Sequence, residues 1–211
     1  MKLPGLHVVA RDREAGRQDF QRVACDMVSV CGPALALHLR LKECHLRELL
    51  RLAERLSRAA ETSGGWCVVN ERVDVALVAK VQGVQLGRGA LPVPAARRLL
   101  GRHVAIGASV HSRAEAEKQV MAGADYLVLG TIFSSATHPG GATGGLPLVR
   151  ACRDVGAPLV AIGGITVESA VEVLGAGADG VAVVGAVWRD PDPVSAASRL
   201  AELVVSKRRE P

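Results

Sequence analysis

The amino-acid sequence predicts one closed barrel of eight parallel strands, each followed by a helix, the α/β class known as the (β/α)8 or TIM barrel. Three observations predict it. Eight short apolar runs alternate from end to end with longer amphipathic runs, the βα repeat of a parallel sheet. The tetrad Ala122-Gly123-Ala124-Asp125 recurs as Ala176-Gly177-Ala178-Asp179, a shift of 176 − 122 = 54 residues, which is the span of two βα units. No linker or low-complexity stretch interrupts the series, so residues 1–211 read as a single domain near the short end of the usual ~200 to 400 residues for this fold. The same repeat also suits an open doubly wound sheet, but eight units in one domain favour closure.

Strands are expected at 6–10, 35–39, 66–70, 83–86, 104–108, 125–130, 158–163 and 179–185. Most are continuous apolar runs, as strands covered on both faces require. After the second strand, Leu46, Leu49, Leu50, Ala53, Leu56 and Ala60 recur at helical spacing with Arg and Glu between them. Ser112 followed by Glu115 is a capping-box pattern after the fifth strand, and Thr166 stands where an N-cap is wanted after the seventh. Eight helices are expected in all. Only the loop 131–145 is long.

Composition limits the function. Hydrophobic residues make up 49% and charged ones 22%, the balance of a folded globular chain. Aromatics are only 2%, too few for the stacking platforms of single-strand or RNA-recognition proteins. The net charge of +5 is spread along the chain apart from Lys207-Arg208-Arg209, which suits a small anionic ligand and not nucleic acid. Five cysteines without CxxC spacing suggest neither a disulfide framework nor a zinc finger. With no run of bilayer-spanning length and no signal-peptide pattern at the start, a cytoplasmic protein without a membrane partner is expected.

In a barrel of this class function gathers at the C-terminal ends of the strands. Gly163-Gly164 ends the seventh strand and Val184-Gly185 the eighth, so bare backbone amides stand where such barrels often hold a phosphate. Alternation along the second strand points His38, Arg40 and Lys42 to one side, where Arg40 and Lys42 suit a carboxylate or phosphate. Asn70 ends the third strand, and Asn70-Glu71 reads more simply as a helix-start device. Ser109 and His111 follow the fifth strand and Thr131 the sixth. The long loop adds Ser134, Ser135, Thr137, His138 and four glycines, a composition suited to a lid over an anion. Either His111 or His138 titrates in the range that moves protons near neutrality. Walker A, GxGxxG, HExxH and GxSxG motifs are absent.

These residues resemble the thiamin phosphate synthase and TenI superfamily over nearly the whole chain. The resemblance is carried by Asn70 to Ala76 (NERVDVA), Gly83 to Gly87 (GVQLG), Ile106 to His111 (IGASVH), Asp125 to Phe133 (DYLVLGTIF) and Ala161 to Ile165 (AIGGI). It implies a (β/α)8 barrel working in thiamin biosynthesis. Synthases of the family join a pyrimidine pyrophosphate to a thiazole phosphate, and place one Asp after the strand-three Asn and another after strand four to bind magnesium. Glu71 and Ala90 stand at those places here, while His38, Gln85 and His138 replace the usual Gln, His and lid Lys.

The TenI-type branch is similar in its His before Arg in strand two, its Gln in strand four and its serine-valine-histidine after strand five. The resemblance therefore implies a thiazole tautomerase, an isomerase that aromatises a carboxylated thiazole phosphate by metal-free proton transfer. Gly163, Gly164, Val184 and Gly185 would hold the phosphate. His38, Arg40, Lys42, Asn70, Gln85 and Ser109 would hold the rest of the substrate. The tautomerase's histidine after strand six is replaced by Thr131, so His138, with Thr131 and His111 beside it, is expected to move the proton. No cofactor is needed on this reading. The alternatives are a synthase using magnesium at Glu71, and a non-catalytic barrel that binds a thiazole phosphate as a sensor or partner. The expected partner is the small-molecule thiazole phosphate, and a homo-oligomer is compatible with the resemblance.

Overall fold

All eight apolar runs form strands: β1 (Leu6–Arg11), β2 (Leu35–Arg40), β3 (Trp66–Asn70), β4 (Gly83–Leu86), β5 (Ala105–Val110), β6 (Tyr126–Leu129), β7 (Leu159–Ile162) and β8 (Gly180–Val183). The structure is a computed structural model that describes residues 2–134 and 142–208. The strands pair in parallel and in chain order, and β8 closes on β1 through Leu6↔Val181 and Val8↔Val183. Closure removes both sheet edges and excludes the open-sheet alternative.

The helices are α1 (Asp12–Ala15), α2 (Phe20–Cys31), α3 (Leu46–Ser63), α4 (Val73–Val78), α5 (Val93–Leu100), α6 (Arg113–Met121), α7 (Gly145–Cys152), α8 (Val167–Gly175), α9 (Gly185–Trp188) and α10 (Pro193–Lys207). They exceed the expected eight because β1 and β8 each lead into a four-residue helical turn before the longer helix that covers the barrel. In α3 the residues Leu49, Ala53, Leu56 and Ala60 are buried as their spacing predicts, whereas Leu46, the first helical residue, is exposed. The helix stops at Gly64, whose φ of +77° is the left-handed cap that glycine adopts without strain.

Both expected caps are present. Ser112 Oγ accepts the amide of Glu115 at 3.2 Å, and Thr166 exchanges bonds with Ser169. The Glu115 carboxylate does not close a box on Ser112; it accepts the amide of His111 at 2.8 Å and so steadies the end of β5.

The repeated tetrad has one structural use twice. Asp125 Oδ2 accepts the amide of Ile106 at 2.6 Å, and Asp179 Oδ2 accepts the amide of Leu159 at 2.8 Å. Each aspartate ties the start of its own strand to the start of the preceding one.

Inside the barrel, Ala36, Trp66, Val68, Tyr126, Val128, Val160 and Ala182 form an inner cluster separate from the strand–helix layer. This apolar filling closes the barrel below its mouth and leaves the C-terminal rim open for a ligand.

Candidate active site

A cavity of about 890 Å³ opens at the C-terminal ends of the strands and takes lining residues from every strand or the loop after it. His38, Arg40, Asn70, Gln85, Ser109, His111, Thr131, Gly163, Gly164, Val184 and Gly185 all face this one space. The topology therefore gathers eleven residues that the sequence spreads over 148 positions (185 − 38 = 147 steps). His138 lies outside the described residues.

Lys42 departs from its expected place. The strand ends at Arg40, so alternation no longer sets its direction. Its amide bonds Asp12 Oδ2 at 3.1 Å, and the residue lines an adjoining cavity of about 310 Å³ with Arg40, Asn70, Glu71 and Arg72.

Glu71 also departs from the helix-start reading. Arg72 is the N-cap of α4, while Glu71 lines the main cavity. Its φ of +67° is left-handed, a conformation costing on the order of 1–2 kcal/mol for a residue with a Cβ. Two bonds enforce it: the Glu71 amide to Gln85 O at 2.9 Å and the Arg72 amide to Asn70 O at 2.8 Å. The turn delivers a carboxylate to the rim.

The β2–β4 floor is polar and buried. His38 is 2% exposed and Gln85 3%. His38 Nε2 lies 2.8 Å from Nδ1 of the fully buried His7, whose Nε2 lies 3.2 Å from Pro4 O. Burial holds His38 down to about 4, with the Asn70 side chain pulling weakly the other way. Burial, then the neighbouring His38, hold His7 well below the ordinary histidine range. Both rings are neutral at pH 7. Gln85 Nε2 donates to Ser109 Oγ at 3.0 Å. Gly107 sits opposite, where a Cβ would strike both Tyr126 and Gln85 Oε1, so glycine makes room for this floor.

The β6–β8 side is backbone. Gly163 and Gly164 have φ of +112° and +62°, and a Cβ on Gly164 would stand 2.8 Å from Phe133 O. His111 Nδ1 donates to Gly130 O.

Sequence reasoning missed four charged groups on this cavity: Arg11, Arg88, Glu168 and Arg189. Arg11 had a readable signal, since it continues the inward alternation His7, Val9, Arg11 once β1 is extended by one residue. Its guanidinium is held by Glu14 at 2.9 and 3.0 Å. Arg189 reaches back over Gly185 from beyond α9, which no local pattern announces.

Magnesium usually keeps several waters and takes one or two protein carboxylates together with substrate phosphates. Ala90 supplies no oxygen side chain, and no group of three His, Cys, Asp or Glu capable of holding a metal occurs among the described residues. Glu71 alone meets the minimum of that donor set, provided a substrate diphosphate completes it.

A closed βα barrel with a strand-end cavity combining glycine backbone, arginines and the two carboxylates Glu71 and Glu168 is a class of architecture suited to phosphorylated small molecules. The family model described as "Thiamine monophosphate synthase" matches residues 6–187, and the chain belongs to that family. It is 40% identical over 182 residues to the "Thiamine-phosphate synthase" of Moorella thermoacetica, covering 85% of this chain and 87% of the relative. It is 42% identical over 178 residues to that of Chloroflexus aurantiacus, covering 83% and 82%. Among solved structures, "Thiamine phosphate pyrophosphorylase" from Pyrococcus furiosus superimposes with a TM-score of 0.84 at 33% identity, covering 96% of each chain.

These likenesses overturn the tautomerase and isomerase expectation. The features that pointed to the TenI-type branch, His38 before Arg40, Gln85 and the motif ending in His111, occur in a chain whose near relatives are named synthases. The proton-transfer roles expected of His138, Thr131 and His111 belonged to that reaction and fall with it. No helix among the described residues is long and apolar enough to cross a membrane.

Proposed function

We propose that this protein is a thiamine-phosphate synthase, a transferase that joins a pyrimidine pyrophosphate to a thiazole phosphate and releases pyrophosphate. The similarity to relatives named for that activity, at 40% identity over most of both chains, carries the reading. The cavity supports it, with basic side chains at one end and bare glycine backbone at the other, one for each phosphorylated substrate.

In the reaction the thiazole ring nitrogen attacks the methylene carbon of the pyrimidine. The bond from that carbon to the diphosphate oxygen breaks, and its electron pair leaves with the diphosphate. The protein must compensate the leaving charge and hold the two rings in line. Arg40, at the end of β2 between both cavities, faces the departing diphosphate with Lys42 beyond it. Glu71 would hold magnesium, which when bound neutralises diphosphate charge. Gly163, Gly164, Val184 and Gly185 receive the thiazole phosphate through backbone, and Arg189 stands over Gly185 to add a cation. His38, Asn70, Gln85 and Ser109 line the floor where a ring is seated.

Incubation with both substrates and magnesium, followed by chromatography, is expected to give thiamin phosphate and pyrophosphate in equal amounts. Arg40→Ala is expected to lower kcat/KM by about 10- to 100-fold, the worth of a charge-assisted hydrogen bond. Glu71→Gln is expected to raise the magnesium concentration needed for half-maximal rate. Absence of thiamin phosphate under these conditions overturns the reading.

A further inference from the structure

We propose that Arg88 is a further diphosphate-binding residue: in the free protein it rests on Glu115, and it leaves that carboxylate for a diphosphate that enters the cavity. That the diphosphate belongs to a pyrimidine substrate rests on the synthase reading, whereas the exchange of partners does not.

Arg88 stands where such an exchange is open to it. Strand β4 ends at Leu86, and Gly87 to Ala90 make a turn closed by the Ala90 amide on Gly87 O at 3.1 Å. From that turn Arg88 lines the main cavity, so it meets a ligand there without any movement of the barrel. A Cβ on the neighbouring Gly89 would meet no atom within 4 Å, so the tip of the turn is unpacked among the described residues. Glu71 packs against the base of the same turn, since a Cβ on Gly87 would stand 2.8 Å from its Oε1. The carboxylate that suits magnesium and the arginine thus share one turn. Ala90 puts no carboxylate on it to repel an anion.

The present partner holds Arg88 weakly. Its one hydrogen bond among the described residues runs from Nη2 to Glu115 Oε1 at 3.3 Å, and the two side chains are 76% and 42% exposed. Ion pairs this exposed contribute little to stability. Glu115 by contrast is fixed, because its Oε2 accepts the His111 amide at 2.8 Å and its own amide bonds Ser112 Oγ at 3.2 Å. The pair therefore joins an arginine that can leave to a carboxylate that stays. Arg11, on the same cavity, is committed by two bonds to the buried Glu14. The guanidinium fork of Arg88 matches a diphosphate bidentately and gives up only a screened contact in exchange. As the diphosphate leaves the pyrimidine its oxygens gain charge, so a cation beside Glu71 favours departure as well as binding.

Calorimetric titration of the full chain with inorganic pyrophosphate and magnesium tests the exchange. Arg88→Ala is expected to weaken binding about 10-fold, whereas Arg98→Ala, on an exposed arginine of α5 outside both cavities, is expected to leave it within about 2-fold. Glu115→Gln keeps an oxygen for the His111 amide but releases Arg88, and is expected to tighten binding at least about 3-fold, a gain that structural damage does not produce. In the Arg88→Ala background the same change is expected to give no gain. In turnover, Arg88→Ala is expected to lower kcat/KM for the pyrimidine pyrophosphate about 10-fold and to leave KM for the thiazole phosphate within about 3-fold. Unchanged affinity in Arg88→Ala overturns the proposal, as does an equal loss in Arg98→Ala. Unchanged or weaker binding in Glu115→Gln overturns it too, and so does a gain that survives without Arg88 or a parent that binds no pyrophosphate. If the parent binds pyrophosphate but forms no thiamin phosphate, the synthase reading fails while the titration still decides the role of Arg88.

Discussion

The two sides of the cavity recognise by opposite means. From β2 to β4 the wall is made of side chains, His38, Arg40, Asn70, Glu71 and Gln85, whose directions depend on partners elsewhere in the fold. From β6 to β8 it is backbone, with Gly130, Gly163, Gly164 and Gly185 lying open. The contrast teaches that the first side depends on hydrogen bonds that a similar side chain can remake, whereas at Gly130, Gly163 and Gly164 the second side rejects an added Cβ. A Cβ on Gly163 would meet Thr131 Cγ2 at 2.5 Å.

The sharpest way to break this comparison is Gly164→Ala. A left-handed φ of +62° and a Cβ within 2.8 Å of Phe133 O force the β7 turn to move. With the phosphate amides displaced, kcat/KM for the thiazole phosphate is expected to fall about 100-fold or more, several kcal/mol of lost positioning. Normal steady-state kinetics in this variant would show that backbone does not form the grip.

A second, intermediate effect belongs to the side-chain wall alone. His38 is held at about 4 in the folded chain, below its ordinary value near 6.5, so the unfolded chain takes up a proton that the folded one refuses. This contribution is fully present above about pH 6.5 and is lost as pH falls towards 4, on the order of 3 kcal/mol in all. Urea unfolding at pH 7 and pH 4 is expected to show that loss in the parent and a smaller one in His38→Gln. Parallel pH curves for the two proteins would refute it.

The smallest effect distinguishes two cations two positions apart on the same segment. Arg40 lines both cavities, whereas Lys42 lines only the outer one and is anchored through its amide to Asp12. Lys42→Ala is expected to raise KM for the pyrophosphate substrate less than about 10-fold, well under the loss in Arg40→Ala, since a more exposed charge is better screened. Equal losses in both variants would place the diphosphate across both cavities.

What the sequence by itself determined is everything governed by local periodicity and turn chemistry. The eight strands, the amphipathic α3, the caps at Ser112 and Thr166 and the glycine turns after β7 and β8 are each specified within a few residues of chain. The repeated tetrad was legible as a repeat, though its reason, an aspartate bonding an amide at the start of the neighbouring strand, needed the sheet. Much of the strand-end site was legible too, because alternation and topology send strand ends to one mouth.

Only the tertiary structure decided the features that join distant segments. His7 and His38 are 31 positions apart, and their bond and their neutrality exist only once β1 lies beside β2. Glu71 became a cavity residue because bonds from Gln85 O and Asn70 O hold its backbone left-handed, against its own preference. Lys42 left the expected wall because β2 stopped two residues earlier. A single chain reports the order and period of its side chains, but burial and hydrogen-bond direction are set by neighbours that folding brings from elsewhere, and those two quantities set the chemistry of this cavity.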